Sequence, residues 1–192
     1  MLYQMKADIS AQNSDLEGAR GLYLKAIKFS DDPGPIMRKL LFIYIDLGEN
    51  QQAIEYSNEL MNKYPDDPDL ISAMAQLIKK GLKKAKGGEI KLLLSAHGLP
   101  EKIIRSGDPY QEQVEKTAKK LINVLGKYKD IPKFDHAVCY QSKVGPLKWI
   151  GPSTEDEIML AGKRNLSLVI FPIAFVSEHS ETLVELDIEY QE

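Results

Sequence analysis

The 192-residue sequence predicts an α+α/β architecture, in which helical-hairpin repeats precede a partial Rossmann-like parallel α/β domain. Three observations carry that expectation. Apolar residues recur at helical spacing through the first half of the chain. Inside that half a sequence pattern returns with Ala19 and Ala53 standing 34 positions apart, a period typical of stacked helix pairs. After Lys86-Gly87-Gly88-Glu89 the helical period gives way to short apolar runs rich in β-branched residues. Strands that alternate with helices imply βαβ units and a parallel sheet. The expected units are therefore residues 1–86 and 90–192.

Within the first unit, Gly18–Ile27 lies over Gln52–Met61, and Asp-Asp-Pro occurs at both 31–33 and 66–68. Helices are expected over 34–47, 50–63 and 68–85. Gly48 ends the first where a left-handed cap is wanted, Ala53 lets two helices approach closely, and Pro65 stops the second. Leu40, Tyr44, Gly48, Ala53 and Pro65 resemble the large, aromatic, turn, small and terminal-proline positions of a tetratricopeptide repeat. A second, degenerate copy carries Ser14 where the turn glycine belongs. That resemblance implies a protein partner held through the helical repeats. An ordinary helical-hairpin array without a peptide groove fits the same residues.

In the second unit, strands are expected at 90–96 (IKLLLSA), 136–142 (HAVCYQS) and 166–172 (LSLVIFP), with helices over 109–128 and 153–163. Ligands of such sheets lie beyond the carboxyl ends of the strands, and all three ends here are chemically unusual. The first ends in His97-Gly98-Leu99-Pro100 and runs on to Gly107-Asp108-Pro109. The second is followed by two Gly-Pro pairs around Trp149, the only tryptophan. A tryptophan between two stiff turns is well placed to lie against a flat ligand, or to pack as a lid on the sheet edge. After the third strand, Glu178 and His179 precede Glu181, Glu185 and Glu189. On a helix starting near Ser180 that four-residue spacing puts three carboxylates on one face. Carboxylate and imidazole together suit a first-row metal.

Composition excludes several classes. The one cysteine, Cys139, allows neither an internal disulfide framework nor an iron–sulfur cluster held by several local thiolates. A net charge of −3, with 12 basic and 12 acidic residues in 1–88 and 13 and 16 in the remainder, makes nucleic acid an improbable partner. The basic run from Lys79 to Lys86 complements a helix C-terminus, and at most provides a peripheral contact with an acidic membrane. No apolar run approaches the roughly 20 residues of a membrane span. The opening residues lack a signal peptide's basic start and apolar core, so a cytoplasmic location is expected.

Three long segments, Leu92–Tyr110, YQSKVGPLKWIGP and FVSEHSETLVELDIEY, resemble ferrochelatase, in that family's order. The resemblance covers residues of about 90–192 and implies a chelatase-type fold. It also implies a lyase that inserts ferrous iron into protoporphyrin IX in haem (porphyrin) biosynthesis. Iron is then a substrate, and no permanently bound cofactor is expected. By position, His97 matches the active-site histidine that takes pyrrole protons or binds metal, and Glu181 its acidic partner across the porphyrin. Glu178 and His179 match a neighbouring acidic–histidine pair, with Glu185 extending the row. Trp149, Ser95 and Gln141 are assigned to substrate binding. The metal path implied is His97, Glu178, His179, Glu181 and Glu185.

In that family an N-terminal α/β half supplies the other wall of the cleft, where this chain has helical repeats. The expectation is thus a fragment of the enzyme's second half joined to a repeat module, with little metal insertion by itself. The alternative is a repeat-based interaction scaffold that carries a non-catalytic ferrochelatase remnant.

Overall fold

The computed structural model describes residues 2–86, 88–143 and 145–173. The chain divides into two compact units, Met1–Leu77 and Ile78–Glu192. The division falls inside one helix, ahead of the glycine pair at which the sequence changes period.

The first unit is helical. Helices α1 (Leu2–Gln12), α2 (Leu16–Lys28), α3 (Gly34–Leu47) and α4 (Asn50–Lys63) pack each on the next, and α5 (Pro68–Lys84) begins in this unit. Helices α3 and α4 have the bounds expected from sequence. Gly48 caps α3 with φ +81, and its N–H and that of Glu49 satisfy the carbonyls of Ile45 and Tyr44. Ser14, at the corresponding turn of the preceding hairpin, also adopts a left-handed conformation, with φ +62. The turn is therefore kept although the glycine is not, at a steric cost that a short polar side chain tolerates best. Ala19 and Ala53 are fully buried, as close helix approach requires. Asp8 of α1 ties the first three helices together, accepting from Tyr23 Oη at 2.6 Å and from Lys39 Nζ at 2.8 Å.

The second unit is a three-stranded parallel sheet in the order β2-β1-β3, formed by β1 (Ile90–His97), β2 (Phe134–Gln141) and β3 (Ser167–Pro172). Its helices are α6 (Glu101–Arg105), α7 (Tyr110–Leu125) and α8 (Thr154–Lys163). The one element not expected is α6, a short helix between Pro100 and Gly107. Strand β1 is central, and Leu92, Leu93 and Leu94 have no solvent exposure. A strand covered on both faces reads as a continuous apolar run rather than an alternating one, which is why LLL stands here.

Register decides what each face carries. Leu93, Ser95 and His97 of β1 pair with Ala137, Cys139 and Gln141 of β2, and side chains of paired residues share a face. Helix α8 covers that face, bringing Thr154 to Ser95 and Glu157 toward Lys91. The opposite face takes α7, whose Ala118 and Ile122 lie by His136 and Val138, and the end of α5, where Gly81 approaches Val169. The crossover from β1 to β2 thus leaves on one face and that from β2 to β3 on the other, as right-handed connections in this strand order demand. Adjacent strands with connections on opposite faces open a crevice at their carboxyl ends. In the order β2-β1-β3 that crevice falls beside β1 on its β3 side, while the His97–Gln141 edge is closed by the bond from Gly98 N–H to the Gln141 carbonyl.

The central strand should dominate the unit's stability. Leu94→Ala removes a fully buried side chain and is expected to lower unfolding free energy by about 2–5 kcal/mol. Chemical denaturation followed by circular dichroism measures this, and a loss under about 1 kcal/mol would show that β1 is not the core of the unit.

Candidate active site

The loops after β1 and β2 are laced together. Gly98 N–H donates to the Gln141 carbonyl at 2.8 Å, Glu101 N–H to Lys148 O at 2.9 Å, and Ile150 N–H to Leu99 O at 3.0 Å. Pro100 and Trp149 form an antiparallel bridge. Gly98 is required by this approach, since a Cβ there would stand 2.7 Å from the Gln141 carbonyl oxygen and 3.3 Å from Trp149 Cε3. Trp149 is thereby held against the turn that follows His97. Between α6 and the 147–148 segment lies an open groove of about 460 Å³. Glu101 on its wall accepts from Arg105 at 2.6 Å and Lys148 at 2.9 Å. The hydrogen bond from Lys148 holds the Glu101 carboxyl below the usual carboxylate range.

His97 is the last residue of β1 and is partly exposed. Its backbone carbonyl accepts from Tyr110 Oη at 3.0 Å. Burial pushes the Tyr110 phenol up to about 12, so it remains a donor through the physiological range. This anchor ties the strand end to the first residue of α7.

Behind His97 lies a buried polar chain. Ser95 Oγ donates to Gln141 Oε1 at 2.7 Å and stands 2.9 Å from Thr154 Oγ1, which in turn donates to Cys139 Sγ at 3.3 Å. Burial raises the Cys139 thiol to about 11, keeping it a neutral member of the chain rather than a nucleophile. Two donors at this edge are buried with no hydrogen-bond partner among the described residues, Gln141 Nε2 and Trp149 Nε1. Buried polar groups are nearly always paired, so two unpaired donors on the loops and strand end that follow β1 and β2 are unusual.

Four of the residues expected at the site from sequence, Ser95, His97, Gln141 and Trp149, therefore meet at the carboxyl edge of β1 and β2. Glu178, His179, Glu181 and Glu185 lie outside the described residues, as does Glu189. Among the described residues no group of three or more potential metal ligands converges. Sequence reasoning missed Thr154 and Tyr110. Tyr110 closes the Gly-Asp-Pro-Tyr motif, but its bond to a backbone carbonyl leaves no trace in the sequence. Thr154 could be found only once α8 was known to lie on the Ser95 face.

The strand order and the crossovers on opposite faces define a doubly wound α/β protein. The chain belongs to the ferrochelatase family, whose profile matches residues 45–192. That match reaches upstream of residue 90 and takes in α4 and α5, so these helices are family sequence rather than part of an unrelated module. The chain is 56% identical over 130 residues to a ferrochelatase of Caulobacter vibrioides (strain NA1000 / CB15N), covering 67% of this chain and 36% of that protein. It is 56% identical over 129 residues to one from Pelagibacter ubique (67% and 36%). With that of Rickettsia felis it shares 48% over 138 residues (72% and 39%). The chain thus spans little more than a third of the length of the curated relatives it matches. Among the described residues no helix is long and apolar enough to cross a membrane.

Gly98→Ala tests the lacing of the two loops. The added methyl group must displace the Gln141 carbonyl or the indole. Overpacking of this kind is expected to cost about 1–3 kcal/mol and to shift the emission of Trp149. Wild-type stability together with an unchanged emission spectrum would show that the two loops are not in contact.

Proposed function

We propose that this chain carries the metal-insertion face of a ferrochelatase, acting on protoporphyrin IX with ferrous iron as the second substrate. The observation that carries the reading is the gathering of His97, Gln141 and Trp149 at the carboxyl ends of β1 and β2, in a sheet whose sequence is ferrochelatase family sequence. In this reading the Trp149 ring lies against the macrocycle. Ser95 and Gln141 present polar contacts to it, the former through the latter. Insertion of iron displaces two pyrrole protons, and His97 takes them in turn, releasing the first to solvent before it accepts the second, since an imidazole exchanges protons near neutral pH. Glu181 is its acidic counterpart, and Glu178, His179 and Glu185 complete a path along which Fe²⁺ sheds water before transfer. The products are haem and two protons, so the metal is consumed as a substrate. In this reading residues 1–86 form a helical unit, whose later helices already belong to the family sequence, and 90–192 form the α/β unit that carries the chemistry, with a cytoplasmic location.

A second role for the helical unit, holding a protein partner, is favoured by one observation. Leu2, Met5 and Ile9 are all exposed at helical spacing on α1, beside a stacked Tyr3–Phe29 pair.

Protoporphyrin IX titrated into the chain should quench Trp149 saturably at micromolar concentration. His97→Ala should lower the rate of Zn²⁺ or Fe²⁺ insertion by about 10²–10⁴, the range for a lost general base, with a much smaller change in porphyrin affinity. Insertion at the wild-type rate in that variant would remove His97 from the chemistry. Absence of quenching would remove the porphyrin from this edge.

A further inference from the structure

We propose that Thr154 is a positioning residue for this site: through Ser95 it fixes the side-chain amide of Gln141 so that a buried polar group faces the porphyrin. The inference rests on the reading of this edge as a porphyrin site. Its basis is the buried chain behind His97, which the chemistry above does not use.

Thr154, Ser95 and Cys139 have no solvent exposure and Gln141 has 2%. The Cys139 thiol donates to Leu94 O at 3.9 Å, which leaves its sulfur lone pairs as acceptors. The single Ser95 proton goes to Gln141 Oε1 at 2.7 Å. The 2.9 Å approach of the two hydroxyl oxygens then requires the Thr154 proton to be shared between Ser95 Oγ and Cys139 Sγ. The branch from Thr154 through Ser95 to Gln141 thereby runs in one direction, from α8 through β1 to β2. The direction assigns Oε1 of Gln141 to the protein and Nε2 to the remaining space, where it is buried with no partner among the described residues. Gln141 pairs in register with His97, so the two side chains share a face.

Without the Thr154 hydroxyl, the Ser95 proton can turn to Cys139 Sγ, and the Gln141 amide loses its only side-chain anchor among the described residues. It can then rotate, and a contact with the macrocycle that was preorganised must be ordered on binding. Thr154 touches no substrate in this scheme. Its action is entirely through Ser95 and Gln141.

The test is a double-mutant cycle on the full 192-residue chain with protoporphyrin IX as the probe, read by quenching of Trp149. Thr154→Val, which keeps the shape and removes the hydroxyl, should weaken binding by about tenfold, the effect of one hydrogen bond. Thr154→Ser should restore it to within about twofold. In a Gln141→Ala background, Thr154→Val should have no further effect, because contacts that act through one another are not additive. A merely structural threonine would cost the same with or without Gln141, and that result would overturn the proposal, as would unchanged affinity in Thr154→Val. If melting curves show that Thr154→Val does not fold, Thr154→Ala takes its place in the same cycle. Failure of the wild-type chain to bind protoporphyrin would overturn the porphyrin reading and this inference together. Wild-type binding that the valine variant leaves untouched would overturn this inference alone.

Discussion

Everything in the α/β unit hangs on the double pairing of β1. The strand is bonded on one edge to β2 and on the other to β3, and its Leu92-Leu93-Leu94 core is closed to solvent on both faces. A slip of one residue would turn Ser95 and His97 to the opposite face, burying an imidazole beneath α7 and breaking the hydrogen bond to Gln141. The apolar run therefore does two things at once. It supplies the burial that holds the sheet, and it sets the register that delivers His97 to the carboxyl end of the strand.

The polar chain from Cys139 to Gln141 is the counterpart of that apolar core. Satisfied networks in a low-dielectric interior specify one arrangement, and incomplete ones are costly. Among the described residues the network is complete at its Cys139 end and unpaired at Gln141 Nε2, and Trp149 Nε1 is likewise unpaired. Two donors are kept out of water and without partners among the described residues, an arrangement that a ligand with nitrogen or carboxylate acceptors would complete.

Much of this was legible in the sequence. The helices over 34–47 and 50–63 and the three strands were read to within about two residues, because Gly48 and Pro65 punctuate them and because LLLSA, AVCY and LVIF have no helical period. That Ser95, His97, Gln141 and Trp149 stand at the ends of β1 and β2 and on the loop after β2 was legible from strand-end position. What escaped was set by contacts between distant residues. The pairing of Leu99-Pro100 with Trp149-Ile150 spans about fifty positions and has no local signature. The short helix Glu101–Arg105 was hidden between the Gly-Leu-Pro and Gly-Asp-Pro turns. Thr154 read only as a helix start, since nothing in the sequence says that α8 places it over Ser95. The family segment was expected to begin near residue 90 and begins at 45, because α4 and α5 carry helical-hairpin spacing that obscures their kinship.

The central claim is that the carboxyl edge of β1 and β2 is the porphyrin site. Hydrogen–deuterium exchange with and without protoporphyrin IX tests it most directly. The account predicts slower exchange in the turn 98–101 and in residues 148–150 on addition of porphyrin, with the opposite edge at 126–133 unchanged. Protection at 126–133 or in α1–α4, with 98–101 and 148–150 unaffected, would contradict it.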